Sequence, residues 1–192
     1  FKSPISAGVS ISKIGAPIPK HYSFFRWGDQ IDTGNVMIER QVFQNYGLFD
    51  RKFEKMRMGD SEYGVRCYLK GCKIINNPKA RRLHIKSIKG GLRFFGHWDG
   101  MRPKKIFSAR PVPSILYLFR KYWGLKPTVY FLIRFIPISL SPYKLKGRTS
   151  GHIFSIIFFF LFMPVVFIQI ILSWKRSTRL LVAKEKIEIF KK

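Results

Sequence analysis

The sequence predicts an α/β domain followed by helices that associate with a membrane. Three observations predict this architecture. A helix, a glycine stop, a strand, a proline turn and a second strand follow one another within residues 60–85. Two aromatic-rich segments interrupted by Arg and Lys follow residue 113, and an uncharged apolar run extends from Ile153 to Ser173. A chain of 192 residues suits one domain plus an appendage.

The charge of the chain predicts an anionic partner. Lys and Arg total 36 against 10 Asp and Glu, for a formal net charge of +26. We expect no nucleic acid, because none of the RNP, KH, zinc-finger or helix-turn-helix signatures occurs. Anionic membrane lipids fit better, since basic clusters such as RPKK (102–105) adjoin the aromatic segments. Two cysteines without CxxC spacing, Cys67 and Cys72, favour a reducing compartment.

The first part of the chain predicts a loop and then a strand and a short helix. Residues 1–30 carry scattered Ser, Gly, Pro and Lys, which is typical of a loop. Val36–Ile38 predicts a strand, and residues 40–45 predict a helix that stops at Gly47.

A second helix is predicted to start at Asp60 or Ser61, either of which can cap it, and to end at Gly71. Its apolar stripe would be Tyr63, Cys67 and Tyr68. The segment CKIIN (72–76) predicts a strand closed by a turn at Asn77–Pro78, and ARRLHI (80–85) predicts another strand.

The third zone predicts helices at a membrane. PSILYLFRKYWG (113–124) and TVYFLIRFIPISL (128–140) mix large apolar side chains with Arg and Lys, as interfacial helices do. Ile153 to Ser173 supplies the roughly 20 apolar residues of a spanning helix, with a kink expected at Pro164. The alternatives are a buried core helix and a re-entrant hairpin hinged near Pro164. Basic residues flank the run on both sides, so they do not decide its orientation.

Residues 27–95 contain an ordered series of short motifs. They are Gly34–Asn35, the segment from Ile38 to Asp50, Gly59-Asp60-Ser61-Glu62 with Arg66, the segment from Gly71 to Ala80, and His84. In this order and spacing the series resembles the C-terminal half of the catalytic domain of family 2 glycosyltransferases. That family comprises inverting enzymes with the GT-A fold. The resemblance therefore implies a partial GT-A-like, Rossmann-like α/β domain over residues 1–100. Amphipathic interface helices over 101–148 and a transmembrane helix with a basic tail over 149–192 would follow.

The resemblance assigns chemistry to the acidic pair. Asp60 matches the catalytic base, which takes the proton of the acceptor hydroxyl, and Glu62 matches a second acidic position that organises the acceptor side. A simple helix cap is the alternative role for Asp60. Arg66 is expected to be structural and to reach back to a nearby carboxylate.

Further residues are implied as substrate or metal contacts. Gly34 and Asn35 would line the sugar pocket, although Gly34 could equally be a turn glycine. Gly90, Gly91 and Arg93 would form a basic loop over the diphosphate. His84 would ligate a divalent metal (Mn or Mg) or contact the diphosphate, unless it merely ends a strand.

The resemblance also implies an N-terminal half that carries nucleotide-binding elements and an Asp-x-Asp metal motif. No Asp-x-Asp occurs in this chain. We therefore expect the acceptor-side part of a glycosyltransferase, inactive by itself, with most metal ligands in the missing half. It would act at the cytoplasmic face of the inner membrane, moving a sugar from a nucleotide sugar to a lipid-linked or surface-polysaccharide acceptor. The alternative is a non-catalytic basic membrane protein that acts as a scaffold or binds anionic polymer or lipid.

Overall fold

The computed structural model describes residues 2–11, 17–84, 100–101, 103, 105–141, 145, 149–184 and 187–190. They divide into two compact units. The α/β unit comprises the described residues of 2–54, 58–84 and 187–190, and the helical unit comprises those of 55–57 and 100–184. Within these ranges the fold is mixed α/β, with a four-stranded sheet and six α-helices, which confirms the predicted class at this level.

The sheet of the α/β unit has the order β2-β4-β1-β3. These strands are β1 (Ile5–Ile11), β2 (Arg26–Trp27), β3 (Val36–Ile38) and β4 (Ile74–Leu83). Strands β1 and β4 are parallel, whereas β3 pairs antiparallel with β1 and β2 pairs antiparallel with β4. The parallel pair forms the centre of the sheet.

Strand β1 lies where the sequence predicted a loop, so that prediction is wrong for these residues. Ile5, Ala7 and Val9 are buried, and they alternate with small residues on the other face. This period of two is the pattern of a strand. The Ser and Gly between the apolar residues made the segment resemble a loop by composition.

Strand β4 is continuous, so the predicted turn between two strands at Asn77–Pro78 is wrong. Gly8 pairs with Asn77, but the next residue of β1, Val9, pairs with Arg81. Residues 78–80 therefore form a bulge. A bulge accommodates proline because a residue outside the ladder needs no backbone donor.

Two helices of the α/β unit lie where the sequence predicted them. These are α1 (Arg40–Tyr46) and α2 (Gly59–Leu69). The backbone just beyond each helix is left-handed at Gly47 (φ 80°) and Gly71 (φ 85°), a conformation that favours glycine. Tyr63 and Cys67 of α2 pack into the core against the sheet, whereas Tyr68, predicted in the same stripe, is exposed.

The helical unit contains α3 (Pro113–Tyr122), α4 (Leu125–Ile138), α5 (Thr149–Leu161) and α6 (Met163–Val182). Helix α3 lies within the first predicted aromatic segment, whereas α4 begins at Leu125, three residues before the second segment, and ends inside it at Ile138. A small apolar core joins α3, α4 and α6 through Leu116, Leu132, Ile136 and Val166.

The predicted continuous helix over Ile153 to Ser173 is wrong, because α5 and α6 break at Phe162 and bend by 85°. Pro164 is the second residue of α6, where its missing N–H removes no helical hydrogen bond, so it begins a helix instead of kinking one. Among the described residues no single helix has the length and apolarity to cross a membrane, whereas α5 and α6 meet that criterion only as a bent pair.

We expect Gly64→Ala to lower the free energy of unfolding by about 1–3 kcal/mol, the range for an overpacked site. Helix α2 lies so close to the loop before β3 that a Cβ at Gly64 would be 2.6 Å from the carbonyl oxygen of Asp29. Urea denaturation followed by circular dichroism measures the change. Tyr68→Ala, on the exposed face of the same helix, is the control and should change stability by no more than about 0.5 kcal/mol. Equal effects of the two substitutions would contradict the tight packing at Gly64.

Candidate active site

The candidate site lies at one edge of the central sheet. Helix α2 packs against the sheet and leads into β4 through the turn at residues 70–73, so it runs back along the strand that follows it. This connectivity predicts that the N-terminus of α2 lies toward the edge at which the parallel strands β1 and β4 end. In open α/β sheets, ligands bind outside the carboxyl ends of the parallel strands.

Asp60 is the second residue of α2 and is half-buried. Its carboxylate accepts a hydrogen bond of 2.8 Å from the backbone N–H of Ser61. Met58, not Asp60 or Ser61, occupies the cap position, so the predicted cap is wrong. The positive end of the helix dipole favours the ionised form of a carboxylate at this position.

The backbone before α2 is strained. Met58 has a left-handed conformation with φ of 75°, and Lys55 has φ of 57°. For a residue with a side chain, the left-handed conformation costs about 1–2 kcal/mol of free energy. Such strain concentrates at functional sites. Two strained residues thus precede the helix that presents Asp60.

Glu62 is completely buried and holds α2 to the preceding segment. Its carboxylate pairs with Arg66 one turn later at 3.1 Å. The Arg66 guanidinium also donates to the carbonyl oxygens of Tyr46 and Leu48. The expectation that Arg66 reaches back to a nearby carboxylate is confirmed. Since Glu62 is not exposed, its contacts make it a positioning residue, and its predicted acceptor-side role stays a prediction.

Asp32, a residue that the sequence analysis did not single out, is the centre of a polar cluster at the ends of β1 and β4. Its carboxylate accepts hydrogen bonds from Ser10 Oγ (2.7 Å), the backbone N–H of Gly34 (3.0 Å) and Arg82 Nη2 (3.0 Å). The same Arg82 nitrogen lies 3.2 Å from His84 Nδ1. His84 thus belongs to a cluster that contains one carboxylate and one guanidinium.

The pKa of Asp32 is lowered from its ordinary value of 3.8. Burial acts to raise this pKa, but the hydrogen bonds from Ser10 and Gly34 and the positive charges of Arg82 and His84 outweigh it. The carboxylate is ionised at neutral pH, it is paired with Arg82, and it lines the groove described below.

Gly34 and Asn35, both predicted to line a sugar pocket, contact the same region. A Cβ at Gly34 would lie 1.3 Å from Arg82 Nη1, so only glycine leaves the guanidinium its position. Asn35 Nδ2 donates to the carbonyl oxygens of Val9 (3.3 Å) and Ala80 (3.0 Å) and so joins β1 to the bulge of β4. Gly34, Asn35 and His84 are therefore brought together around β4.

A groove opens beside the Asp32 cluster with a volume of about 280 Å³. It is lined by Ala7, Gly8, Val9, Ser10, Pro19, Tyr22, Gln30, Ile31, Asp32 and Asn76. Carboxylate, amide and hydroxyl groups beside an aromatic ring are suited to a ligand with several hydroxyls and an apolar face. The Asp-Thr-Gly spacing at residues 32–34, which lets the Asp32 side chain accept from the backbone N–H of Gly34, was the sequence signal for this cluster.

The remaining predicted contacts are not formed by described residues. Gly90, Gly91 and Arg93 lie outside the described ranges. Within those ranges, no three His, Cys, Asp or Glu side chains come together as a metal site. The guanidinium beside His84 Nδ1 opposes a second cation at that nitrogen. The divalent metal, whose other ligands the resemblance assigns to an upstream half, stays a prediction.

Comparison with known proteins leaves the family unassigned. No protein-family model, curated protein or solved structure matches this chain. The class that the fold defines is therefore a mixed α/β unit followed by a helical unit, and the likeness to family 2 glycosyltransferases remains a prediction from the motifs.

We expect Gly34→Ala to raise the pKa of Asp32 toward 3.8, because the new methyl group displaces Arg82 from the carboxylate. Since the folded-state pKa is lowered, Asp32 stabilises the fold at neutral pH, and this contribution is lost as the pH falls below about 4. NMR titration of the Asp32 carboxyl carbon measures the pKa.

The control for this titration is Thr33→Ala, a change at the exposed neighbouring residue, which should leave the pKa of Asp32 low. In Asp32→Asn, the loss of stability that protonation of Asp32 causes below about pH 4 should be absent. An unchanged pKa in Gly34→Ala would contradict the role given to Arg82.

Proposed function

We propose that this chain is the acceptor-side part of a membrane-associated, inverting glycosyltransferase. It would transfer a sugar from a nucleotide-sugar donor to a lipid-linked or cell-surface polysaccharide acceptor. The observation that carries the proposal is the half-buried Asp60 near the start of α2, a helix that packs against the sheet through Tyr63 and Cys67. The polar groove is lined by residues of the sheet and of the segments before β3, and Asp60 is not among its lining residues. By itself the chain would be inactive, because the donor-binding half is expected upstream.

In the proposed reaction Asp60 acts as the general base. The acceptor hydroxyl oxygen forms a bond to the anomeric carbon while the bond from that carbon to the nucleoside diphosphate breaks, which inverts the anomeric centre. Asp60 accepts the hydroxyl proton, and the diphosphate leaves with the bonding electron pair. A divalent metal, when bound, would offset the charge of the diphosphate. The groove beside Asp32 would orient a sugar through its hydroxyls.

The helical unit supports action at a membrane surface. No Asp or Glu occurs between residues 100 and 184, whereas Lys and Arg recur on both sides of the uncharged run. Aromatic rings accompany these charges: the Arg120 guanidinium lies 4.2 Å from the ring centre of Trp174, and the Lys121 amine 5.1 Å from that of Tyr122. Basic and aromatic side chains together suit the headgroups of anionic lipids. We propose that the chain acts at the cytoplasmic face of the inner membrane.

The test of the catalytic proposal is Asp60→Asn in the chain extended by its own upstream sequence. We expect sugar transfer to fall by about 10²–10⁴-fold, the usual contribution of a general base, while donor binding is retained. Transfer and donor binding are measured in detergent with Mn or Mg and a panel of nucleotide sugars.

The matched control is Glu54→Gln, which neutralises an exposed carboxylate before α2 and should leave transfer near that of the wild type. Near-normal turnover of Asp60→Asn would overturn its assignment as the base. If neither this chain nor the extended chain transfers sugar or hydrolyses the donor, the non-catalytic scaffold would be favoured instead.

A further inference from the structure

Beside its small apolar core, the helical unit buries a stripe of polar side chains on α6 and exposes many large apolar side chains on α4, α5 and α6. Gln169, Ser173 and Ser177 follow one another at four-residue spacing on α6, and all three are buried. Large apolar side chains of α4, α5 and α6 are exposed: Val129, Ile133, Phe135, Ile153, Ile156, Ile157, Phe160, Leu161, Phe167 and Ile168. Proteins in water show the opposite preference, and an apolar surface this extensive indicates a contact.

The buried polar stripe of α6 is satisfied within the helical unit. Arg110 Nε donates to Gln169 Oε1 at 2.8 Å, and Arg120 Nη1 donates to Ser177 Oγ at 2.8 Å. Ser173 Oγ donates to the carbonyl oxygen of Pro111 at 2.6 Å. Because these hydrogen bonds orient the polar side of α6 inward, its apolar side is left outward, where hydrocarbon is the matching solvent.

The bent pair has the dimensions of one leaflet. The 13 residues of α5 are about 20 Å long, and the uncharged part of α6, residues 163–174, is about 18 Å long. Each is shorter than the roughly 30 Å hydrocarbon core. Two such arms bent by 85° place their junction about 13 Å below their ends, close to half of that core.

The segment after α6 returns to the α/β unit. The backbone N–H of Leu48 donates to the carbonyl oxygen of Glu188 at 2.7 Å. The Glu188 carboxylate pairs with Arg51 at 3.1 Å, and the Arg40 guanidinium lies 5.1 Å from the ring centre of Phe190. This tail, residues 187–190, is therefore on the same side of any membrane as the α/β unit. A single crossing by α5 and α6 would put the two on opposite sides.

We propose that α5 and α6 form a re-entrant hairpin in one leaflet of an anionic bilayer, entering and leaving at the face that bears the α/β unit. The proposal rests on the membrane association proposed above. Lys175, Arg176 and Arg179 follow the uncharged part of α6 directly, and no acidic residue of 100–184 neutralises them. Their charge at the hairpin exit complements anionic headgroups, each by about 1 kcal/mol.

Cysteine labelling tests the hairpin without measuring activity. The full chain is expressed in cells, and inverted and right-side-out membrane vesicles are treated with a membrane-impermeant maleimide. Met37→Cys reports the α/β unit, and Ile189→Cys reports the tail; both positions are exposed. The native Cys67 and Cys72 are buried, and burial raises the pKa of Cys67 to about 11, so the unsubstituted chain serves as the unlabelled background.

We expect the Met37→Cys and Ile189→Cys variants both to be labelled in vesicles of one orientation, and neither to be labelled in vesicles of the opposite orientation. The Met163→Cys variant, at the bend, should resist labelling from both faces, and a fluorophore attached there should be quenched by lipids brominated near the bilayer centre. These results would support the hairpin.

Three other outcomes would overturn it. Labelling of Ile189→Cys only from the face opposite to Met37→Cys would establish a single crossing. Labelling of Met163→Cys from the opposite face would establish that the pair reaches through both leaflets. Release of the chain from membranes by an alkaline carbonate wash would show that it is not inserted in the bilayer. The catalytic proposal would still be decided separately, by the effect of Asp60→Asn on transfer.

Discussion

The parallel pairing of β1 with β4 across the bulge is the constraint on which the candidate site depends. The Asn35 side chain donates to a carbonyl oxygen on each strand, and its own backbone carbonyl accepts from the N–H of Gly8. A Cβ at Gly8 would lie 2.4 Å from the Ala80 carbonyl oxygen, so a larger residue would force the strands apart. Three residues leave the ladder at this point, which shifts the register of everything that follows in β4.

The shifted register has a chemical consequence. Arg82 lies beside Ser10 in the resumed pairing, which lets its guanidinium reach Asp32 and His84. Asp32 is joined to the helix side of the unit as well, because the residues just before it pack against α2 at Gly64. The groove, the charged cluster and the middle of α2 are therefore joined by close backbone contacts. Small residues are needed wherever these contacts are tightest.

In the helical unit the ordering principle is different. Hydrogen bonds between α6 and the residues around α3 satisfy a buried polar stripe, and many large apolar side chains of α4, α5 and α6 lie on the surface outside the small core. Exposure of this apolar area is unfavourable in water and would be favourable against hydrocarbon, which is the physical basis of the proposed membrane contact. The break at Phe162 converts an apolar run of spanning length into two short arms. The tail, residues 187–190, pairs with Leu48 and Arg51 inside the α/β unit.

The sequence by itself determined the local elements: β3, α1 and α2 with their glycine stops, and the helices α3 and α4, because periodicity and terminating residues act over a few positions. It also determined the basic, apolar character of the C-terminal part. Only the tertiary structure decided the parallel pairing of β1 with β4, the bulge at Pro78 and the partnership of Asp32 with Arg82, fifty residues apart. It likewise decided that α5 and α6 are separate and that the tail returns to the α/β unit. These features depend on contacts between distant segments, which the spacing of residues along one segment does not encode.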